Sequence, residues 1–299
     1  MMLKGKQIVL EATEGIVFRM REEENGLVRI TAHQQKEKVI RTGDYRNPPI
    51  PKGFRYLKGS WIDGFTIKKE SDGSEFVWIP VGWLEPNGTI DGSNFVERFG
   101  RRKWIHEKFS YEDFHEEVNW NLLDSVKRHD GVYISRYHAS NKKGKVVFKK
   151  NKMPFVNVNF HQAKQFAESY AINEEEVKSC LTTGSAFDSL LQWIVQSKAK
   201  SEKEVVEDST SWGNYFNTTN SPQKVLPTGS NENGCVCNIY DIAGNTDEWT
   251  EEMNGCSWSV LRGGGYSCDG SYFTAARRNF NHLSGNCSDT SFRALLYVK

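Results

Sequence analysis

The chain lacks an excess of charge of either sign, any long apolar run, and cysteines in metal-ligand spacing. Its 299 residues carry 39 Lys and Arg against 38 Asp and Glu, so no global field draws it to nucleic acid or to an anionic membrane. No stretch approaches the roughly 18 apolar residues that cross a bilayer. We therefore expect no nucleic-acid partner and no membrane insertion. The opening MMLKGKQIVLEATEG has a three-residue apolar run followed at once by acids, too short for the core of a signal peptide. Without such a signal, the six cysteines read as thiols rather than as a disulfide framework. Proline is scarce, and Pro48, Pro49 and Pro51 fall together in DYRNPPIPKG, where they stiffen a link and mark a boundary.

What is present in quantity is aromatic: 12% of residues, nine of them Trp. Large side chains at that density suit a loop-rich fold whose irregular parts are pinned by ring packing. A chain of this length buries roughly 75% of its extended surface and needs no covalent staples.

Residues 1–50 read as a small β unit. GIVFRMR and LVRITAH flank EEENG, and Asn25-Gly26 is a tight-turn signal. The second domain is expected over 51–299. It begins with an apolar-aromatic strand, Phe76 to Trp83. Residues 95–130 are charged and mostly helical in pattern, and GVYISRYHAS (131–140) alternates from Val132 as a half-buried strand does. Asn159 and Gln162 form a capping-box signal before a stripe of Phe160, Ala163, Phe166, Ala167 and Tyr170. A second helix is predicted over 185–197 with Phe187, Leu190, Leu191 and Ile194 inward. Residues 200–290 are rich in Gly, Asn, Ser and Thr. The fold class is α+β with long structured loops, which carry function when a scaffold holds them.

Three stretches imitate catalytic motifs. Phe114-His115-Glu116-Glu117-Val118-Asn119 places Asn where a zinc helix needs its second His, and reads as a solvated helix face. Cys235-Val236-Cys237 has one intervening residue rather than two to four and no matching pair downstream; if extended, both thiols share a face. Arg262-Gly263-Gly264-Gly265 lacks the phosphate-loop Lys, so its glycines read as close backbone approach or positive φ. Asp241-Ile-Ala-Gly244-Asn245-Thr246-Asp247-Glu248 alternates oxygen ligands with a bend-permitting Gly, as calcium loops do.

The ordered set NIYDIAGNTDEWTEE (238–252), VLRGGGY (260–266), AAR (275–277) and SFRALLYV (291–298) resembles the sulfatase-modifying-factor family, the formylglycine-generating enzyme domain. FVWIP (76–80), VYISRYHAS (132–140) and LTTGSAFDSLLQWI (181–194) fit the same order over roughly 75–299. The resemblance implies a C-type-lectin-like fold: a small central sheet, two helices and extensive ordered loops. Oxidase members of the family bind copper through two cysteines after the RGG motif. Cys268 matches the first position and Phe273 the second. One thiolate does not make a Cu(I) site, so the enzyme chemistry is expected to be absent. Related iron-dependent sulfoxide synthases use a histidine cluster on an extra helical domain that has no counterpart here. Asp247 replaces the Trp usual in the GN-x-WEW motif. The family's calcium loop implies a structural cation held by Asp241, Gly244, Thr246 and Glu248, with no cofactor required.

This fold also carries the variable proteins of diversity-generating retroelements, which vary between an RGG and a GFR-like motif. The corresponding window, 265–290, is rich in Tyr, Ser and Asn, residue types suited to a generic binding surface. Arg262-Gly263-Gly264, Ala276-Arg277 and Phe292-Arg293 are expected to keep the frame. The residues expected to meet ligand are Tyr266, Cys268, Asp269, Tyr272, Phe273, Asn279, Phe280, Asn281, His282 and Asn286. The whole is similar to domains of Gram-positive phages and prophages. That implies a non-catalytic ligand- or receptor-binding protein with a protein or glycan target on a cell surface. Residues 1–50 would dock to a phage tail or to other copies, and the protein would reside in the virion, or in the cytoplasm before assembly. The alternatives are an oxidative enzyme centred on Cys268 with His282 or Cys287 nearby, and a structural tail subunit.

Overall fold

A computed structural model describes residues 16–22, 28–34, 48–82, 96, 98–104 and 114–299. The chain divides into two compact units, Met1–Ile40 and Arg41–Lys299. In the first, β1 (Ile16–Glu22) pairs antiparallel with β2 (Val28–Gln34), from Ile16 opposite Gln34 to Glu22 opposite Val28. The Asn25-Gly26 turn and Trp83 lie outside the described residues.

The second unit runs β3 (Phe54–Lys58), β4 (Thr66–Lys69), β5 (Glu75–Pro80), β6 (Phe114–His115), α1 (Trp120–His129), β7 (Gly131–Ser135), β8 (Ser140–Lys142), β9 (Lys145–Val147), α2 (Phe160–Ser169), β10 (Val177–Leu181), α3 (Gly184–Gln196) and α4 (Glu202–Val206). The loop-rich half follows, with β11 (Cys235–Val236), β12 (Ile239–Tyr240), β13 (Asp247–Asn254), β14 (Trp258–Arg262), β15 (Asn279–His282), β16 (Thr290–Phe292) and β17 (Ala294–Val298). One sheet has the order β10-β17-β7-β5-β4-β3; a second has β15-β14-β13-β16, with β6 paired to the far end of β13. β13 and β16 run parallel, and β14 pairs antiparallel on both sides. The mixture is α+β.

Local rules explain the helices. The Asn159 side chain accepts from the Gln162 N–H while the Gln162 side chain accepts from the Asn159 N–H, the reciprocal capping box; Phe160, Ala163 and Ala167 are buried. α3 is capped by Thr183 and buries Phe187, Leu190, Leu191, Trp193 and Ile194, each contributing about 1.5–3 kcal/mol of burial.

Two expectations need correction. Residues 131–140 are buried throughout, because β7 is a central strand between β17 and β5 with α1 against it. Gly131 is required there, since a Cβ would meet the Trp78 ring and the Ile79 carbonyl. Within 95–130, Trp120–His129 alone is helical among the described residues; Phe114–His115 is a strand end. Glu116 is therefore on no helix face. Its buried carboxylate accepts from the N–H of Gly184 and from the N–H and hydroxyl of Ser185, so it caps α3. Burial, and then the nearby Glu252 charge, outweigh those bonds and push its pKa up to about 7.

Candidate functional site

The 265–290 window hangs from the sheet of β13, β14, β15 and β16, and two buried arginines fix where it leaves and returns. Arg262, closing β14, and Arg278, immediately before β15, are both essentially inaccessible. Both reach Asp188 on α3: the Arg262 guanidinium stands 2.7 Å from Oδ1, and that of Arg278 bonds Oδ2. Trp104 Nε1 donates to Oδ1 at 3.0 Å and the Arg102 N–H to Oδ2 at 2.8 Å. Arg278 Nε also donates to Glu252 at 3.0 Å, and Arg101 donates to the same carboxylate at 2.9 Å. One carboxylate thus ties together the two ends of the segment 263–277. Asp188 is buried, yet its two guanidinium partners hold its carboxyl below the usual range.

Between the pins the backbone turns sharply. Gly263 and Gly264 take φ of 86° and 74°, conformations that side chains disfavour. The Tyr215 hydroxyl donates to the Gly263 carbonyl at 2.8 Å. Ala275 and Ala276 are buried, their N–H groups donating to Ser209 Oγ and the Val205 carbonyl. The frame arginine here is Arg278, not Arg277 as the motif implied. Arg277 is half-buried and lays its guanidinium over the Tyr272 ring at 4.0 Å.

All ten expected ligand residues are half-buried or exposed; none is in the core. Tyr272 is 42% exposed and meets Phe273 edge-on at 4.9 Å. Asp269 is a staple beneath them. Its carboxylate accepts from Ser271 and Asn217, and its carbonyl from the N–H groups of Tyr272 and Phe273; the Ser271 bonds hold the carboxyl below the usual range. A second aromatic group forms on the edge strand. Phe280 and His282 pack edge-on against Trp258 at 5.8 and 5.4 Å. Trp258 is 42% exposed and lies outside the expected window; it arrives through strand register, opposite His282. Asn281 donates to Cys287 Sγ at 3.0 Å, and His282 Nδ1 lies 2.7 Å from Ser284 Oγ. Asn286 is exposed, and Tyr266 and Asn279 are half-buried.

The residues do not fit copper. Cys268 is half-buried, and burial with the nearby Asp247 charge pushes its thiol up to about 11, so the soft thiolate ligand is disfavoured. Phe273 supplies no second sulfur. Cys237, at φ 47°, is not extended, which removes the premise that it shares a face with Cys235. Burial pushes its thiol up to about 12. Among the described residues no group of three or more His, Cys, Asp or Glu is arranged to hold a metal ion.

The expected calcium loop has other partners. Glu248 Oε1 lies 2.9 Å from both Arg293 Nε and His138 Nε2, while Oε2 is buried without a hydrogen-bond partner. Asp241 Oδ2 accepts from the Gly229 N–H at 2.9 Å, the Gly244 carbonyl from the Thr246 N–H at 3.0 Å, and Thr246 Oγ1 faces His138 Nδ1. The Arg293 guanidinium supplies positive charge that Glu248 Oε1 faces.

The profile of the "sulfatase-modifying factor enzyme 1-like domain" family matches residues 65–297. A search of curated protein sequences gives no match. Among solved structures, the chain is similar to Treponema denticola variable protein 1, at 17% identity over 56% of this chain and 84% of that one, TM-score 0.38. It is also similar to PvdO from Pseudomonas aeruginosa, at 15% identity over 78% and 98%, TM-score 0.44, and to CarF, at 14% over 56% and 87%, TM-score 0.40.

Proposed function

This chain belongs to the sulfatase-modifying factor enzyme 1-like family, with its C-type-lectin-like fold, and we propose that it uses that fold to bind a ligand rather than to catalyse a reaction. The observation that carries the reading is the division of the window by burial. Arg262, Gly263, Gly264, Ala275, Ala276, Arg278, Phe292 and Arg293 are buried, whereas Tyr266, Tyr272, Phe273, Phe280, Asn281, His282 and Asn286 reach the surface. A rigid frame that displays Tyr, Phe, Asn and Ser is how a binding surface gains area at low entropic cost. Tyr272, Phe280 and Trp258 act as anchors and the polar residues select. The raised Cys268 thiol and the phenyl ring at 273 leave no paired thiolates for oxidase chemistry.

The target is a protein or glycan on a cell surface, and the setting a phage or prophage receptor-binding protein whose 1–50 unit attaches it to a tail or to other copies. Diversification of the 265–290 window by a retroelement belongs to the same reading. A reverse-transcriptase gene beside this one, with a near-copy of the window's coding sequence differing at adenines, would support it; a flanking region with neither would remove it. The binding reading is tested by Tyr272→Ala with Phe280→Ala, which is expected to leave the thermal midpoint unchanged and abolish target retention. Unfolding of that double variant would make these core residues and sink the proposal.

A further inference from the structure

An exposed ring stands beside the window without belonging to it. Trp212, Asn214 and Tyr215 are buried in the frame, and the Asn214 side chain donates to the Lys224 carbonyl at 3.0 Å and to Asn245 Oδ1 at 3.1 Å. The chain then surfaces abruptly: Phe216 is 47% exposed, and Asn217, Thr219 and Asn220 are exposed after it. A phenyl ring left in water forgoes the gain of burial, and here a set of hydrogen bonds holds it out. The Phe216 N–H donates to the Cys268 carbonyl at 3.1 Å. Asn217 Nδ2 donates to Asp269 Oδ1 at 2.8 Å, and Asn217 Oδ1 accepts from the Gly270 N–H at 3.0 Å. Thr218 turns the loop, its hydroxyl donating to the Gly213 carbonyl at 2.8 Å and accepting from the Tyr215 N–H at 3.1 Å. Asp269 is the joint. Its carboxylate takes Asn217, and its carbonyl takes the N–H groups of Tyr272 and Phe273. The buried Tyr215 ring lies beneath this joint, where Gly270 is required because a Cβ would meet the ring at 2.6 Å. The loop 216–221 is thus fastened to the segment that carries the Tyr272–Phe273 pair.

We propose that the binding surface is composite, with the 216–221 loop as a lobe outside the window and Phe216 as its anchor, and that the partner it fits is a protein. The inference deepens the binding reading above and rests on it. No charged residue occurs from Phe216 to Gln223 or from Gly270 to Ala276. Arg277 lies over the Tyr272 ring at 4.0 Å. Aromatic rings and arginine with other charge kept out are the composition of a protein–protein interface core. A glycan is held by amides and carboxylates that still have hydrogen bonds to give. Beside these rings both such groups are already spent: Asn217 on Asp269 and the Gly270 N–H, Asp269 on Asn217 and Ser271. What the surface offers is ring area on a fastened backbone, which suits an apolar side chain of a partner protein. Phe216 also lies outside 265–290, so variation within the window would leave this anchor in place.

The test is selection of a random-peptide display library on the immobilised full chain, with an array of neutral glycans probed in parallel. Enriched peptides are then titrated by calorimetry against the parent, Phe216→Ala, Tyr272→Ala and Asn220→Arg. The enriched peptides are expected to share an aromatic or aliphatic residue, and Phe216→Ala should weaken their binding about tenfold or more, as loss of an interface anchor does. Tyr272→Ala should do the same from inside the window. Asn220→Arg puts a charge on the lobe without touching the window and should weaken binding too. Because the Phe216 ring is exposed, Phe216→Ala should keep the thermal midpoint within about 2 °C of the parent, so a loss of binding is not a loss of fold. A midpoint that falls well beyond that would make Phe216 a packing residue and overturn the assignment. A library that enriches nothing, or glycans retained by the parent and released by Phe216→Ala, would overturn the protein partner. If Phe216→Ala binds as the parent does while Tyr272→Ala with Phe280→Ala still abolishes target retention, this inference alone fails and the window stands as the binding surface.

Discussion

Replacing Asp188 with Ala removes the carboxylate on which both pins of the window converge. Arg262 and Arg278 would be left buried with Glu252 as the carboxylate still in reach, and Trp104 Nε1 and the Arg102 N–H would lose their acceptor. Breaking a buried pair by removing one partner costs about 3–5 kcal/mol, because the charge left behind stays desolvated. In a unit of this size each kcal/mol lowers the thermal midpoint by about 2–4 °C, so the expected fall is about 6–20 °C. Arg278→Ala should cost a similar amount, and the double variant less than the sum, since both act on one network. Arg277→Ala is the control: it touches the exposed Tyr272 ring and should cost within about 0.5 kcal/mol. Thermal melts by circular dichroism read all four. If Asp188→Ala melts within about 2 °C of the parent, or Arg277→Ala falls as far as Arg278→Ala, the pinning account is refuted.

Glu116 has its pKa raised from 4.5 to about 7, so the folded state binds the extra proton between those values. Its contribution to stability is present below about pH 4.5 and is lost as pH rises through about 7. Glu116→Gln should flatten that slope, measured as the thermal midpoint at pH 5 against pH 8. Because Arg293 already faces Glu248, chelation of calcium should leave the midpoint unchanged. A rise on adding calcium, abolished by Glu248→Gln, would put a cation at the Asp241–Glu248 loop instead. Trp258→Ala should weaken target retention as Phe280→Ala does, because the two rings form one exposed group on paired strands; retention at the parent level would remove that group from the binding surface.

What was legible in the sequence is what local rules control. The Asn159–Gln162 capping box, the apolar stripe of α3 and the need for positive φ at Gly263 and Gly264 all follow from residue type and spacing. The residues expected to meet ligand lie outside the core. Long-range pairing hid the rest. Asp188 in mid-helix reads as a solvent-facing residue until Arg262 and Arg278 arrive from far along the chain. Adjacent arginines at 277 and 278 cannot be ranked by pattern, and burial decides for Arg278. Trp258 joins the surface only through the β14–β15 register. His115-Glu116 looked helical because its neighbours are charged, whereas the Glu116 carboxylate is used as a cap for a helix that begins at Gly184.

The measurement that bears most directly on the binding account is retention of the purified chain on cell surfaces and on arrayed glycans, parent beside Tyr272→Ala with Phe280→Ala, with thermal midpoints and bound metal determined on the same samples. The account predicts a specific target for the parent, loss of it in the double variant at an unchanged midpoint, and no stoichiometric copper. Stoichiometric copper lost on Cys268→Ser, or a double variant that no longer folds, would contradict it.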